Sequence, residues 1–108
     1  METICLKVRL KPGSVERVRQ WSAELRRRYD EVLATLRDEG VAIESVFLDQ
    51  TGTDDFLVYY IKADSVEEAG QVARRSEHAI DAYHQQFKRE TWDSRKTLEL
   101  LMDFENLG

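Results

Sequence analysis

Phe56-Leu57-Val58-Tyr59-Tyr60-Ile61 is apolar or aromatic at six consecutive positions. Side chains of a strand point alternately to its two faces, so this strand needs apolar cover on both sides. Upstream, Gln50-Thr51-Gly52-Thr53-Asp54 reads as a hairpin loop that pairs a strand over 42–49 antiparallel with one over 55–63. At the start of the chain, Ile4, Leu6, Val8 and Leu10 alternate with Thr3, Cys5, Lys7 and Arg9, which predicts a strand over 3–10 with one greasy face. Lys11-Pro12-Gly13 ends that strand, and Ser14 stands at an N-cap position. Val15, Val18, Trp21, Leu25, Tyr29, Val32, Leu33 and Leu36 recur at steps of three and four, predicting one helix from 15 to about 39, closed by Gly40.

Further along, Ser65 and Glu68 have capping-box spacing, so a second helix is expected over 66–75, with a further helical piece near 77–90. Leu98, Leu100, Met102 and Phe104 alternate with Thr97, Glu99 and Asp103, a fourth strand with one apolar face. The order βαββαβ, with right-handed crossovers, predicts a ferredoxin-like α+β fold: a four-stranded antiparallel sheet with helices on one face. The second face then lacks cover. A twofold homodimer is the expected solution, and the alternative is that Glu105-Asn106-Leu107-Gly108 folds back over the patch.

The chain has 108 residues, 42% hydrophobic and 34% charged, which fits a single domain over 1–108. A net charge of −5 argues against a nucleic-acid partner held by phosphate neutralisation. The acidity is uneven, because residues 40–72 hold seven acids and one base. No stretch approaches the roughly 20 apolar residues of a membrane span, so no membrane partner is expected. The single Cys5 can make no internal disulfide, which suits a reducing cytoplasm.

Both histidines lie in Ser76-Glu77-His78-Ala79-Ile80-Asp81-Ala82-Tyr83-His84. On a regular helix His78, Asp81 and His84 share one face, and histidine is the side chain best poised for proton transfer near neutrality. The six-residue separation rises about 9 Å, too far for both rings to hold one metal, so no metal site is expected on this helix alone. Two readings stay open: the rings bond backbone or carboxylate groups at the helix–sheet junction, or they contact a ligand. Glu44 interrupts the apolar face of its strand, which leaves it either at a cavity with a raised pKa or solvated at the strand end. Of Tyr59 and Tyr60, one faces the helices and one the open sheet, so one hydroxyl can line a cavity or simply pack. Trp21 falls on the core stripe, and Trp92, beside Asp93 and Ser94, is expected in a turn at a pocket mouth. Arg26-Arg27-Arg28 reads as a solvated face through the pairs Glu24–Arg28, Arg26–Asp30 and Arg27–Glu31. Phosphate-loop, catalytic-triad and zinc spacings are absent, so no cofactor is implied.

Lys11-Pro12-Gly13 leading into Arg17-Val18-Arg19-Gln20-Trp21, then Asp30-Glu31, Leu36-Arg37-Asp38-Glu39-Gly40-Val41, Phe47-Leu48-Asp49, Phe56 to Tyr60, and Ser76 to Asp81 with His84 together carry a family likeness. On these stretches the chain resembles a family of small prokaryotic proteins known only as a domain of unknown function. The resemblance implies a ferredoxin-like dimeric α/β barrel, in the same broad group as L-rhamnose mutarotases and monooxygenases related to antibiotic biosynthesis. It implies no reaction. Laid over the mutarotases from Gly40, the helical catalytic histidine of that family falls at Leu25 and its strand tyrosine at Glu44. Leu25 cannot transfer a proton, so the likeness is one of fold. The expectation is a cytoplasmic homodimer that takes a small molecule between sheet and helices, with His78, His84, Glu44, Tyr59 and Tyr60 as candidate acid–base residues and Trp21, Asp81 and Trp92 as candidate ligand contacts. The alternative is a non-catalytic interaction module that uses the open sheet face.

Overall fold

The computed structural model describes residues 1–107. Its elements run β1 (Glu2–Leu10), α1 (Val15–Arg27), α2 (Tyr29–Glu39), β2 (Val41–Asp49), β3 (Phe56–Ala63), α3 (Val66–Arg75), α4 (Ala79–Thr91) and β4 (Trp92–Thr97). The four strands form one antiparallel sheet in the order β2-β3-β1-β4. This is the ferredoxin-like arrangement expected from the sequence, with each crossover divided into two helices.

Register places Ile4, Leu6 and Val8 of β1 opposite Ile61, Tyr59 and Leu57 of β3. Val46 and Leu48 of β2 stand beside the same Tyr59 and Leu57. These side chains make the helix-covered face, and Val8, Leu10, Leu57 and Tyr59 close the core against Val18 and Trp21 of α1 and Phe87 of α4. Trp21 and Phe87 stack almost parallel, with ring centroids 4.2 Å apart. The indole therefore ties the first helix to the last one above the sheet. Aromatic stacking of this kind adds to the area the rings bury.

Several expectations are corrected. The predicted helix over 15–39 breaks at Arg28, whose backbone sits at φ −101° and ψ 40°. That break turns the apolar stripe, so α1 packs on α4 while α2 reaches β2 and α3. The arginine run pairs mainly at three-residue spacing, Arg27 with Glu24 and Arg28 with Glu31, while Arg28 stands 3.9 Å from Glu24. Ser14 occupies the N-cap position of α1 without a capping side-chain bond, whereas Ser65 Oγ does accept from the Glu68 amide at the start of α3. The last helix starts at Ala79, so His78 precedes it in an extended conformation.

The fourth strand is displaced. It comprises Trp92–Thr97, so Trp92 opens a strand and is not in a turn. Pairing with β1 ends where the Leu98 amide bonds the Cys5 carbonyl. Beyond it the chain leaves the ladder because Asp103 and Glu105 bind elsewhere: the Lys62 ammonium lies 3.2 Å from Asp103 and 2.7 Å from Glu105, and the Thr3 hydroxyl donates to Asp103. By strand alternation Thr3 and Lys62 are on the face away from the helices. The tail thus crosses that face on charged contacts and leaves its own apolar residues outward, Phe104 being 87% exposed and Leu101 77%. Gly108, part of the predicted covering segment, lies outside the described residues.

Gly40 ends α2 at φ 70°, with its amide bonded to carbonyls of the last helical turn. A β-carbon there meets Asp64 at 3.4 Å and also forces the left-handed region on an L side chain. Gly40→Ala is expected to cost about 1 kcal/mol, read as a lower midpoint in urea at unchanged slope. An unchanged midpoint contradicts this reading of the turn.

Candidate functional site

A cavity of about 540 Å³ opens between the helix-covered face of the sheet and the helices. Ile4, Leu6 and Ile61 supply its apolar floor, and Leu25, Leu36 and Ile80 line it from the helices. That volume suits a small organic ligand. Its least exposed charged groups and its edge-strand charges come from α2, β2, α4 and β4. Glu39 is the last residue of α2, placed by the turn at Gly40, and Glu44 projects from β2 next to Ile61 of β3. Asp81, His84 and Lys88 line the cavity from α4 at helical spacings of three and four, and Arg95 enters from β4.

His84 is fixed by the core. Its Nδ1 accepts from the Trp21 indole N–H at 3.1 Å, and the two rings stack at 5.5 Å. An imidazole accepting at Nδ1 carries its proton on Nε2, so the hydrogen-bond network assigns this tautomer. Burial, reinforced by the nearby Lys88 charge, lowers the His84 pKa to about 3. The ring is a neutral hydrogen-bond donor at physiological pH.

The carboxylates shift the other way. Burial, then the charges of Asp81 and Glu44, raise Glu39 to about 7. Solvent reaches Glu44 through the mouth of the cavity, yet the protein walls around its carboxylate push its pKa up, partly offset by Lys88. Burial lowers the Lys88 pKa, and its ammonium rests 4.7 Å from the centre of the Trp92 ring. None of Glu39, Glu44, Lys88 and Arg95 forms an ion pair among the described residues. The cavity thus holds several charged groups whose hydrogen-bonding capacity is not used within the chain.

Of the sequence candidates, Glu44, Asp81, His84 and Trp21 meet at this cavity. His78 does not. It is exposed, its Nε2 lies 2.7 Å from Asp38 Oδ2, and it borders a second, smaller depression with Ser76, Glu77 and Asp81. The Asp38 hydrogen bond raises the His78 pKa. Asp81 joins the two depressions and is held by the Ser76 hydroxyl. Tyr59 packs in the core, edge-on to Trp92 at 5.6 Å, with its hydroxyl unpartnered and its pKa raised by burial. The Trp92 indole N–H is near that hydroxyl and tempers the shift, without a well-formed bond between them. Tyr60 is on the opposite face, beside Cys5 and Ser45. Glu39, Lys88 and Arg95 were not singled out in the sequence. Lys88 falls one turn beyond His84, a visible spacing, but nothing in a lone lysine or a helix-terminal glutamate announces a cavity.

Fold and cavity together define a ferredoxin-like α+β protein with a ligand-sized, mixed polar and apolar pocket. The chain belongs to a family of unknown function (DUF6176), matched over residues 1–108. No curated protein matches it in sequence. Among solved structures it is similar to an L-rhamnose mutarotase from Formosa agariphila, with a TM-score of 0.64 and 19% identity over 97% of this chain and 100% of that one. It is also similar to a putative antibiotic biosynthesis monooxygenase from Nitrosomonas europaea, with a TM-score of 0.59 and 11% identity over 91% and 94% of the two chains. At these identities the likeness is one of fold. No helix is long and apolar enough to cross a membrane.

The two histidines are predicted to behave oppositely in a nitrogen-detected NMR titration. His78 titrates above the usual 6.5, because its pKa is raised, while His84 keeps the Nε2–H tautomer and stays silent down to the region of its pKa of about 3. Trp21→Phe keeps the stack, removes the donor and releases the tautomer. A His84 that titrates near 6.5 contradicts the assigned geometry.

Proposed function

We propose that the protein is a cytoplasmic homodimer of single-domain chains, each binding a small molecule in the sheet–helix cavity and exchanging protons with it without a cofactor. The observation that carries this reading is the pairing of a carboxyl near neutrality, Glu39 at about 7, with a neutral imidazole, His84, in one ligand-sized cavity. Groups whose environments drive their pKa values apart are suited to different roles. Glu39 gives and takes the proton, because a carrier works best with a pKa near the working pH. Glu44 is its neighbour on the cavity wall, and His84 donates a fixed hydrogen bond to an oxygen on which charge develops. Asp81 and Trp21 position these groups, and Trp92 supports Lys88. His78, Tyr59 and Tyr60 have no part in the step.

Dimerisation is supported by the open sheet face. Phe47 is 61% exposed and Ile43 45%, on the strand at one edge of the sheet, and the tail presents Leu101, Met102 and Phe104. These groups form the apolar surface that a second copy would cover. The same observation favours a second reading, in which the open face docks a different protein and the cavity is incidental.

A fragment screen followed through the Trp21 indole N–H resonance tests the ligand site. Small polar and aromatic molecules are expected to shift it, with affinities that change with pH around 7 in the wild type and lose that dependence in Glu39→Gln. Sedimentation equilibrium is run in parallel. A dimer whose indole responds supports the proposal, whereas a stable monomer with a cavity that takes no fragment favours the docking module.

A further inference from the structure

The charges that line the cavity are sorted by position. Glu39, Glu44 and Asp81 come from the end of α2, from β2 and from the first turn of α4, whereas Lys88 and Arg95 come from the second half of α4 and from β4. The strands β2 and β4 are the opposite edges of the sheet. Three interstrand steps separate them by about 14 Å. Along α4, Asp81 and Lys88 are seven residues apart, a rise of about 10 Å. Glu67 and Arg74 of α3 also border the cavity; both are exposed and they are opposite in sign, so together they leave its net charge unchanged. Tyr59 and the neutral His84 add none.

Neither end is closed by an ion pair among the described residues. Asp81 accepts from the Ser76 hydroxyl, which leaves its negative charge in place. Glu39 is disfavoured as an anion by Asp81 and Glu44 and favoured by Lys88, while Lys88 is favoured as a cation by Glu44, Glu39 and Asp81 and disfavoured by Arg95. Lys88 and Glu44 attract each other without forming an ion pair. A ligand with one charge satisfies one end and desolvates the other without compensation, which is costly. A neutral ligand does so at both ends.

We infer that the cavity takes a zwitterionic small molecule, its amine held by Glu39, Glu44 and Asp81 and its acid group by Lys88 and Arg95, with an apolar connecting chain lying on Ile4, Leu6 and Ile61. This rests on the cavity being a ligand site, as proposed above. His84 adds an uncharged donor between the two ends, placed on α4 between Asp81 and Lys88. The recognition is of charge pattern and spacing, in the manner of an amino acid whose amine and acid are several atoms apart.

Four molecules of one chain length separate the possibilities: 6-aminohexanoate, 1,6-diaminohexane, hexanedioate and 1,6-hexanediol. Each is titrated against the full-length protein at a pH above the Glu39 pKa of about 7, with the Trp21 indole N–H as readout. The zwitterion is expected to bind at least about tenfold more tightly than the other three, since each matched charge contributes on the scale of a charged hydrogen bond. Glu44→Gln, an exposed strand position, is expected to weaken the zwitterion and the diamine but not the diacid. Arg95→Gln should weaken the zwitterion and the diacid but not the diamine. Binding of the diol, or of one singly matched ion, as tight as the zwitterion overturns the inference while leaving the cavity a ligand site. If none of the four moves the indole and the fragment screen is also silent, the ligand-site reading falls as well.

Discussion

The hydrogen bond from the Trp21 indole to His84 Nδ1 joins the core to the cavity, and much of the structure depends on it. On one side Trp21 stacks with Phe87 and locks α1 to α4 over the sheet. On the other, the same indole consumes the acceptor nitrogen of a half-buried ring, which fixes its tautomer. One side chain, 4% exposed, therefore serves packing and electrostatics at once. Its removal would leave a cavity in the core and an unpartnered acceptor, so the two contributions are coupled and would not add.

A neutral His84 redistributes the chemistry among the cavity residues. Histidine is ordinarily the group that titrates near neutrality, but low exposure and an adjacent lysine reverse the usual order here. The carboxyl of Glu39, at about 7, is the group whose pKa lies near neutrality instead. Burial is the common cause of both shifts, because it disfavours whichever form is charged: the imidazolium in one case and the carboxylate in the other. Lys88 responds in the same direction as His84 for the same reason.

Most of the fold was legible along the chain because it rests on local periodicity and turn chemistry. The alternation of Ile4 to Leu10, the Gln50 to Asp54 loop, the Ser65 cap and the Gly40 stop all act over a few residues. The tail was misread for a long-range reason. Leu98 to Phe104 has the alternation of a strand, yet Asp103 and Glu105 reach Lys62 across the sheet and draw the chain off the β1 edge. Placing the strand too late also hid Arg95, which fell before the alternating stretch. Of the site, Glu44 was visible as a charge on an apolar strand face, and His84 as a titratable group on a helix. Glu39 and Lys88 were not, because a charge at a helix end or on an amphipathic helix is ordinarily solvated, and only the packing of α2 and α4 around the cavity makes these different. His78, next to His84 in sequence, fell outside the site because the helix begins one residue after it.

Titration of Glu39 decides directly whether the group of the cavity that changes charge near neutrality is a carboxyl and not an imidazole. Selective carbon labelling of the glutamate side chains allows each carboxyl to be titrated individually by NMR. Glu39 is expected to titrate at about 7, well above the ordinary 4.5, with a midpoint that falls when Asp81 is replaced by Asn. A Glu39 that titrates at 4.5, whatever stands at position 81, would contradict it.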